Sequence, residues 1–336
     1  MSDALIQLAL FAAKSLIILL LVLVILIAFF VLLAKSKEKI KGRLAIKNLN
    51  KKYEDMAESL LSETLTKKEF KRYLKEKKAK EKALLKSEEN IKNIYVLHFN
   101  GDVKASAVSS LSEEINAILS IAKPSDEVVV RLESGGGIVY GYGLAAAQLL
   151  RIRAQKIPLT ITIDKVAASG GYMMATVANK IYAAPFAIVG SIGVVVQLPN
   201  FHRLLKEKHI DFEQLTAGEF KRTLTLFGEN THEGKEKLQH EIEDVHQQFK
   251  NLITEHRQQI DIQKVATGEH WLGQQALDLN LVDAIKTSDD YLMEQSKVAK
   301  LYEISYEVKK PFLHKLTSSA AEIRDKLVGK LMLTQF

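Results

Sequence analysis

The chain has no cysteine. That absence removes disulfides, thiolate metal sites, iron–sulfur clusters and a cysteine nucleophile, while fitting any redox compartment. Proline is scarce, at 5 in 336 residues, and glycine numbers only 17, which excludes collagen-like repeats and wholesale disorder. No H-E-x-x-H, P-loop or EF-hand pattern occurs, so neither a metal nor a nucleotide is indicated. What remains is 47% hydrophobic and 26% charged, enough for a full α/β core with a smaller appended segment.

The average hides a divided chain. Residues 15–34 read SLIILLLVLVILIAFFVLLA, 20 residues without a charge, long enough at ~1.5 Å per residue to span a hydrocarbon core of ~30 Å. They are expected to form a membrane helix, with residues 1–34 as the N-terminal anchor. A cleaved secretory signal fits less well, because the apolar run is long and Lys35 stands where small residues would mark cleavage. Residues 35–92 hold 19 Lys/Arg against 10 Asp/Glu, a local charge of +9 that leaves −2 for the rest of a chain whose net charge is +7. This segment reads as a charged helical stalk, which the positive-inside rule places in the cytoplasm. Residues 69–86 offer only Phe70 and Tyr73 as stacking aromatics, so no nucleic acid partner is expected. Attraction of the lysines to anionic lipid headgroups is the alternative to a purely solvated stalk.

From residue 93 to 300 apolar strand-like runs alternate with helical patterns: IYVLHFNG, EVVVRLES and IPLTITIDKV each precede a turn and an amphipathic segment. This predicts an α/β domain with parallel strands and right-handed crossovers, its sites at the carboxyl ends of strands. Residues 181–198 are uncharged, but Pro185, Gly190 and Gly193 interrupt them, so they read as buried strands and turns rather than a second membrane span. Leu238, Ile242, Val245, Phe249 and Ile253 mark the buried face of a long helix, with the histidines around them read as solvated surface. Residues 301–336 are expected to form an amphipathic tail, with a stripe at Leu313, Leu316, Ile323, Leu327 and Leu331.

Two glycine-rich strand exits attract chemistry, ESGGG at 133–137 and AASGG at 167–171. A serine heading a helix and followed by glycine, as Ser169 is by Gly170, suits a nucleophile beside an oxyanion donor. The same serine also suits a helix N-cap, and local sequence leaves both readings open. Lys221, in AGEFKRT, lies in a glycine-bounded loop beside Phe220. A lysine serves as general base only when desolvation or neighbouring cations bring it down from ~10.4, and most loop lysines are solvated.

Four segments in order, AASGGYMMA, VGSIGVV, GEFKRT and VATGEHWLGQQALDLNLVD, resemble the signal-peptide-peptidase A family of membrane serine peptidases, most closely its SohB branch. The resemblance implies a ClpP/crotonase-like fold of repeated β-β-α and βαβ units, and a Ser/Lys dyad with no cofactor and no metal. By position, Ser169 matches the nucleophile, Lys221 the general base, and Ser191 a serine that hydrogen-bonds the lysine. Gly170, with Gly136 or Gly137, would form the oxyanion hole. Departures are Gly135 in place of proline in the usual S-P-G-G turn, Phe220 in place of the commoner tyrosine, and Asn280 where glycine is usual. The resemblance further implies unfolded peptides or membrane-protein fragments as substrates, a homo-oligomer, and the bacterial inner membrane. Family habit puts the catalytic domain on the periplasmic side, against the positive-inside rule, so its membrane face stays open. Two alternatives to a peptidase also stand: a crotonase-type acyl-CoA enzyme, and a non-catalytic membrane scaffold with a degenerate core.

Overall fold

The computed structural model describes residues 11, 14–17, 19–24, 26–27, 42–86 and 91–308. Contacts divide the chain into one unit of Leu44–Tyr306 and another of Met1–Arg43 with Glu307–Phe336. In the latter, the described residues between 11 and 27 are helical with exposed side chains. The rest of the expected membrane helix over 15–34, and the expected stripe from Leu313 to Leu331, lie outside the described residues. Among the described residues no helix is long and apolar enough to cross a membrane.

The larger unit begins with β1 (Arg43–Asn48), α1 (Leu49–Thr64) and α2 (Lys67–Lys86), followed by β2 (Asn93–Gly101), α3 (Val108–Leu119), β3 (Glu127–Ser134) and α4 (Val139–Ala154). The middle runs through β4 (Leu159–Ile163), β5 (Val166–Ala168), α5 (Gly170–Thr176), β6 (Lys180–Ala183) and β7 (Ile188–Gly190). It continues with α6 (His202–Glu207), α7 (His232–His256), α8 (Ile262–Val265), β8 (His270–Leu272), α9 (Gly273–Asp278), β9 (Ala284–Ile285), α10 (Ser288–Gln295) and β10 (Lys300–Glu307).

The strands build one sheet, ordered β1-β10-β2-β3-β4-β6-β9, with β5, β7 and β8 branching from it. Its centre is parallel and covered on both faces, which is why β2, β3 and β4 read as near-continuous apolar runs. Alternation along β2 divides the core: Tyr95, Leu97 and Phe99 pack with α3 and α4, while Ile94 and Val96 pack with Leu49, Leu292 and Leu301. The α/β class and the strand–strand–helix unit β4-β5-α5 agree with the fold expected from sequence.

Three boundaries differ from expectation. Residues 43–48 of the expected stalk are strand β1, and Leu49 beyond it is 2% exposed in the core. Lys300–Glu307, read mainly as the start of the tail, is β10, parallel to β2. Within the run 181–198, Ile181, Val189 and Ile192 are fully buried as predicted, but Val195 and Val196 are exposed. Among the described residues of the expected stalk, Leu49–Thr64 and Lys67–Lys86 are helical, and Lys77 of α2 bridges Glu54 and Glu58 of α1 at 2.8 and 2.7 Å.

The sheet forks where β3 ends. β4 pairs with the first half of β3, then Asp164 and Lys165 let the chain leave that line, and β5 pairs with the last residue of β3 through Ser134 and Ala167. That one register places the two glycine-rich exits side by side.

Candidate active site

Ser169 closes β5 and heads α5 with φ 51° and ψ −118°. Such a conformation costs a non-glycine residue about 1–3 kcal/mol and persists only where surrounding structure imposes it. Here the Ser169 N–H donates to Gly190 O at 2.8 Å, and the Ser169 carbonyl accepts from Met173 N at 2.9 Å. The side chain makes no capping bond to α5, so the N-cap reading fails. The hydroxyl instead stands in a cleft of about 590 Å³ with Gly135, Gly136, Gly137 and Ser191.

Close packing explains the glycines. A Cβ on Gly170 would lie 2.4 Å from the Tyr142 ring, and one on Gly136, at φ +89°, would lie 2.7 Å from both Gly170 N and Ser169 Cβ. The glycine turn therefore touches the Ser169–Gly170 step directly. Its two candidate donors differ: Gly136 N–H is committed to Ser134 Oγ at 3.1 Å, whereas Gly137 and Gly170 N–H have no partner among the described residues. Gly136 is thus removed as an oxyanion donor because its hydrogen is already placed.

Sequence reading missed what holds this turn. Tyr142, fully buried beneath Gly170, donates its hydroxyl to Asp102 O at 2.8 Å and lies 2.5 Å from Ser134 Oγ. With the phenol hydrogen on Asp102 O, Ser134 donates to the phenol oxygen and still accepts from Gly136. Burial, foremost, pushes the Tyr142 phenol up, so it remains a donor.

Ser191 follows β7 with φ 52° and donates its N–H to Glu269 O at 2.6 Å. β7 pairs antiparallel with β8, Gly190 opposite His270. The last of the four sequence segments thus holds the VGSIG turn at the cleft wall. Its end is secured where Arg257 Nη1 donates to Asp283 Oδ2 at 2.8 Å, and Asn280, standing where glycine is usual, adopts the left-handed φ of 59°.

Lys221 lies apart. It ends a turn whose N–H donates to Gly218 O at 3.2 Å, and it lines a different hollow, of about 720 Å³, with Leu198, Leu215 and Phe227. Its side chain is exposed, and Nζ has no hydrogen-bond or ion-pair partner among the described residues. The single chain therefore gathers Ser169, Ser191, Gly137 and Gly170 and leaves Lys221 outside. It adds His246, on α7, to the cleft wall. Sequence reading left His246 on the solvated surface, although it stands four residues after Ile242 and three before Phe249, on the apolar stripe itself.

Comparison with known proteins gives the chain a family. The model for the peptidase family S49 N-terminal region matches residues 3–149 and that for peptidase family S49 matches residues 151–302. A protein named probable protease SohB from Haemophilus influenzae is 46% identical, covering 100% of this chain and 98% of the relative. A probable protease SohB from Buchnera aphidicola subsp. Schizaphis graminum is 45% identical over 95% of each chain. Among solved structures, a membrane-bound stomatin-specific protease 1510-N with a substrate peptide shares 12% identity over 70% of this chain and 100% of that one at a TM-score of 0.44, too distant for residue-level comparison. Matched along nearly its whole length by relatives of its own size, the chain belongs to peptidase family S49 and is a serine peptidase acting on peptides or proteins.

Proposed function

We propose that this peptidase cleaves unfolded peptides at a site completed between copies of the chain, with Ser169 from one and Lys221 from the next. Ser169 Oγ attacks the scissile carbonyl and passes its proton to Lys221 Nζ. The oxyanion is held by the N–H groups of Gly137 and Gly170, and Ser191 orients the lysine. Collapse expels the amine, which takes the proton back from Lys221, and water then releases the acyl group from Ser169.

The observation that carries this reading is the strained Ser169, whose hydroxyl has no hydrogen-bond partner among the described residues, beside two N–H groups that also have none there. The sharing between copies is supported by the surface around Lys221: Leu215 is 96% exposed, Phe220, next to Lys221 in sequence, 45% and Leu198 41%. An apolar surface of this kind marks an interaction site. Covering it with a second copy would strip water from Lys221 in the same event, as a lysine base requires. The uncharged run at 15–34 followed by lysines supports anchoring in a bacterial inner membrane.

The test is cleavage of casein or an apolar peptide by full-length protein in detergent. Ser169→Ala and Lys221→Ala are each expected to lose at least ~10³-fold in rate, and mixing the two variants under subunit exchange is expected to recover activity. Full activity in either variant overturns the dyad; loss in both without recovery on mixing overturns the shared site.

A further inference from the structure

His246 presents an unusual group to the Ser169 cleft. The cleft is lined by glycine backbone, Val139, Val194 and Val195, the hydroxyls of Ser169 and Ser191, and Thr267, so among the described residues His246 is the one ionisable side chain on its wall. Thr267 is already engaged, its Oγ1 donating to Glu269 Oε2 at 2.7 Å. His246 Nε2 is buried and has no hydrogen-bond partner among the described residues. Buried polar nitrogens are paired in the great majority of proteins, and an orphan carries a penalty that a ligand's polar atom relieves.

Position adds a second observation. Val139 lines both this cleft and an adjoining hollow of about 390 Å³, whose walls include Met173, Val245 and Phe249. Met173 belongs to the first turn after Ser169. Val245 and Phe249 flank His246 along α7, so this helix puts one polar residue on the cleft wall next to residues that line the apolar hollow. An extended peptide displays main-chain N–H and C=O groups at regular intervals, and its side chains alternate in direction. One polar contact beside one apolar recess fits that pattern.

We infer that His246 is a substrate-contacting residue, its imidazole turning out of the buried position so that Nε2 exchanges a hydrogen bond with the main chain of a peptide bound in the Ser169 cleft, with an apolar side chain of that peptide in the hollow behind Val139. The inference rests on Ser169 being the nucleophile. It differs from activation of Ser169 by His246, because a contact to the peptide acts only when a peptide is present.

The experiment compares full-length wild type, His246→Leu and His246→Gln in detergent. It measures kcat/KM on an apolar peptide, the rate of Ser169 labelling by a small serine-directed phosphonate lacking a peptide chain, and Tm. His246→Leu fills the site without a polar atom, and is expected to lose 10-fold or more in kcat/KM, label Ser169 within about threefold of wild type, and melt at the same or a higher temperature. His246→Gln, whose amide reaches a similar position, is expected to recover most of the loss. Unchanged peptide cleavage by His246→Leu overturns the contact. Loss of labelling together with cleavage overturns it in favour of a role on the serine, and a marked fall in Tm overturns it in favour of a structural partner. Failure of the nucleophile reading itself shows separately, as full activity and persistent labelling in Ser169→Ala with His246 intact.

Discussion

Ser169 donates its backbone N–H to the carbonyl oxygen of Gly190 at 2.8 Å. This bond joins two turns that the chain visits 21 residues apart in sequence and continues the β5-β7 pairing one step beyond the strands, where Ala168 faces Gly190. Both turns hold a serine at positive φ, 51° at Ser169 and 52° at Ser191. Neither conformation is locally favourable, so each is maintained from outside, Ser169 by Gly190 and Ser191 by Glu269 O at 2.6 Å. The cleft serines are thereby set by sheet pairing rather than by their own loops.

Gly190→Ala tests this dependence. A Cβ there would stand 2.7 Å from Trp271 Cε3, at a φ of +109° that alanine adopts only under strain. Destabilisation by about 1–3 kcal/mol is expected from the backbone alone. Because Gly190 O is the acceptor for Ser169, kcat should fall further than the fraction of unfolded protein explains. Urea unfolding midpoints and peptide kinetics on the same samples check both parts.

Tyr142→Phe isolates the support under the glycine turn. The ring that fills the space beneath Gly170 is retained, while the hydroxyl joining Asp102 O and Ser134 Oγ is lost. Ser134 Oγ can redirect toward Gly101 O, 3.4 Å away, so a cost of about 1 kcal/mol is expected, not the full penalty of two orphaned groups. Freed from its phenol partner, Ser134 holds Gly136 N–H less firmly, and the neighbouring Gly137 donor loses alignment. On the proposed assignment of Gly137 to the oxyanion, the loss should appear chiefly in kcat with KM little changed.

Glu114 gives the domain a pH-dependent stability. It lies on α3, 5% exposed, and accepts one hydrogen bond, from Tyr306 N at 2.8 Å. Burial, the larger influence, raises its carboxyl from 4.5 to about 7, against the lowering effect of that bond. Below about pH 4.5 both folded and unfolded chains carry the proton, and the stabilisation is fully present. Between about pH 4.5 and 7 the unfolded chain releases it first, so stability falls as pH rises, by about 3 kcal/mol in all. Glu114→Gln should flatten this part of the profile, measured as the urea midpoint against pH.

What was legible in the sequence followed from local pattern. β2, β3 and β4 announce themselves because strands buried on both faces must be apolar throughout, and Ser169 because its flanking glycines mark a close approach. β1 and β10 were hidden, since each gains its place only by pairing with partners distant in sequence. The charge of residues 35–92 argued for a stalk, but RLAIKN needs only an edge to become a strand. The exposure of Lys221 could not be read from its neighbours, and its loop bears apolar residues that one chain leaves uncovered. His246 was legible by spacing alone, between Ile242 and Phe249, but its charged surroundings concealed it. The choice between Gly136 and Gly137 depended on a single hydrogen bond, from Gly136 N–H to Ser134 Oγ, which no sequence pattern encodes.

The end of α7, and with it the wall that carries His246, depends on Arg257 and Asp283. The Arg257 side chain is 3% exposed and Asp283 20%; the guanidinium donates to Asp283 Oδ2 at 2.8 Å and to Asn280 O at 3.0 Å. Removing one member of a buried pair strands the other, at roughly 3–5 kcal/mol. Arg257→Met should fall at the lower end, because the remaining carboxylate reaches some water and still accepts from Ile181 N at 2.7 Å. Asp283→Leu should cost more, since it leaves the buried guanidinium without a counter-charge, held only by Asn280 O, and orphans the Ile181 N–H. The double variant is then expected to be more stable than Asp283→Leu alone, the stranded cation being gone, yet still below wild type because Ile181 N–H has no acceptor. A double-mutant cycle in urea distinguishes this from simple additivity: equal and additive losses would mean that the two charges do not depend on each other, and that Asp283 serves the Ile181 amide alone.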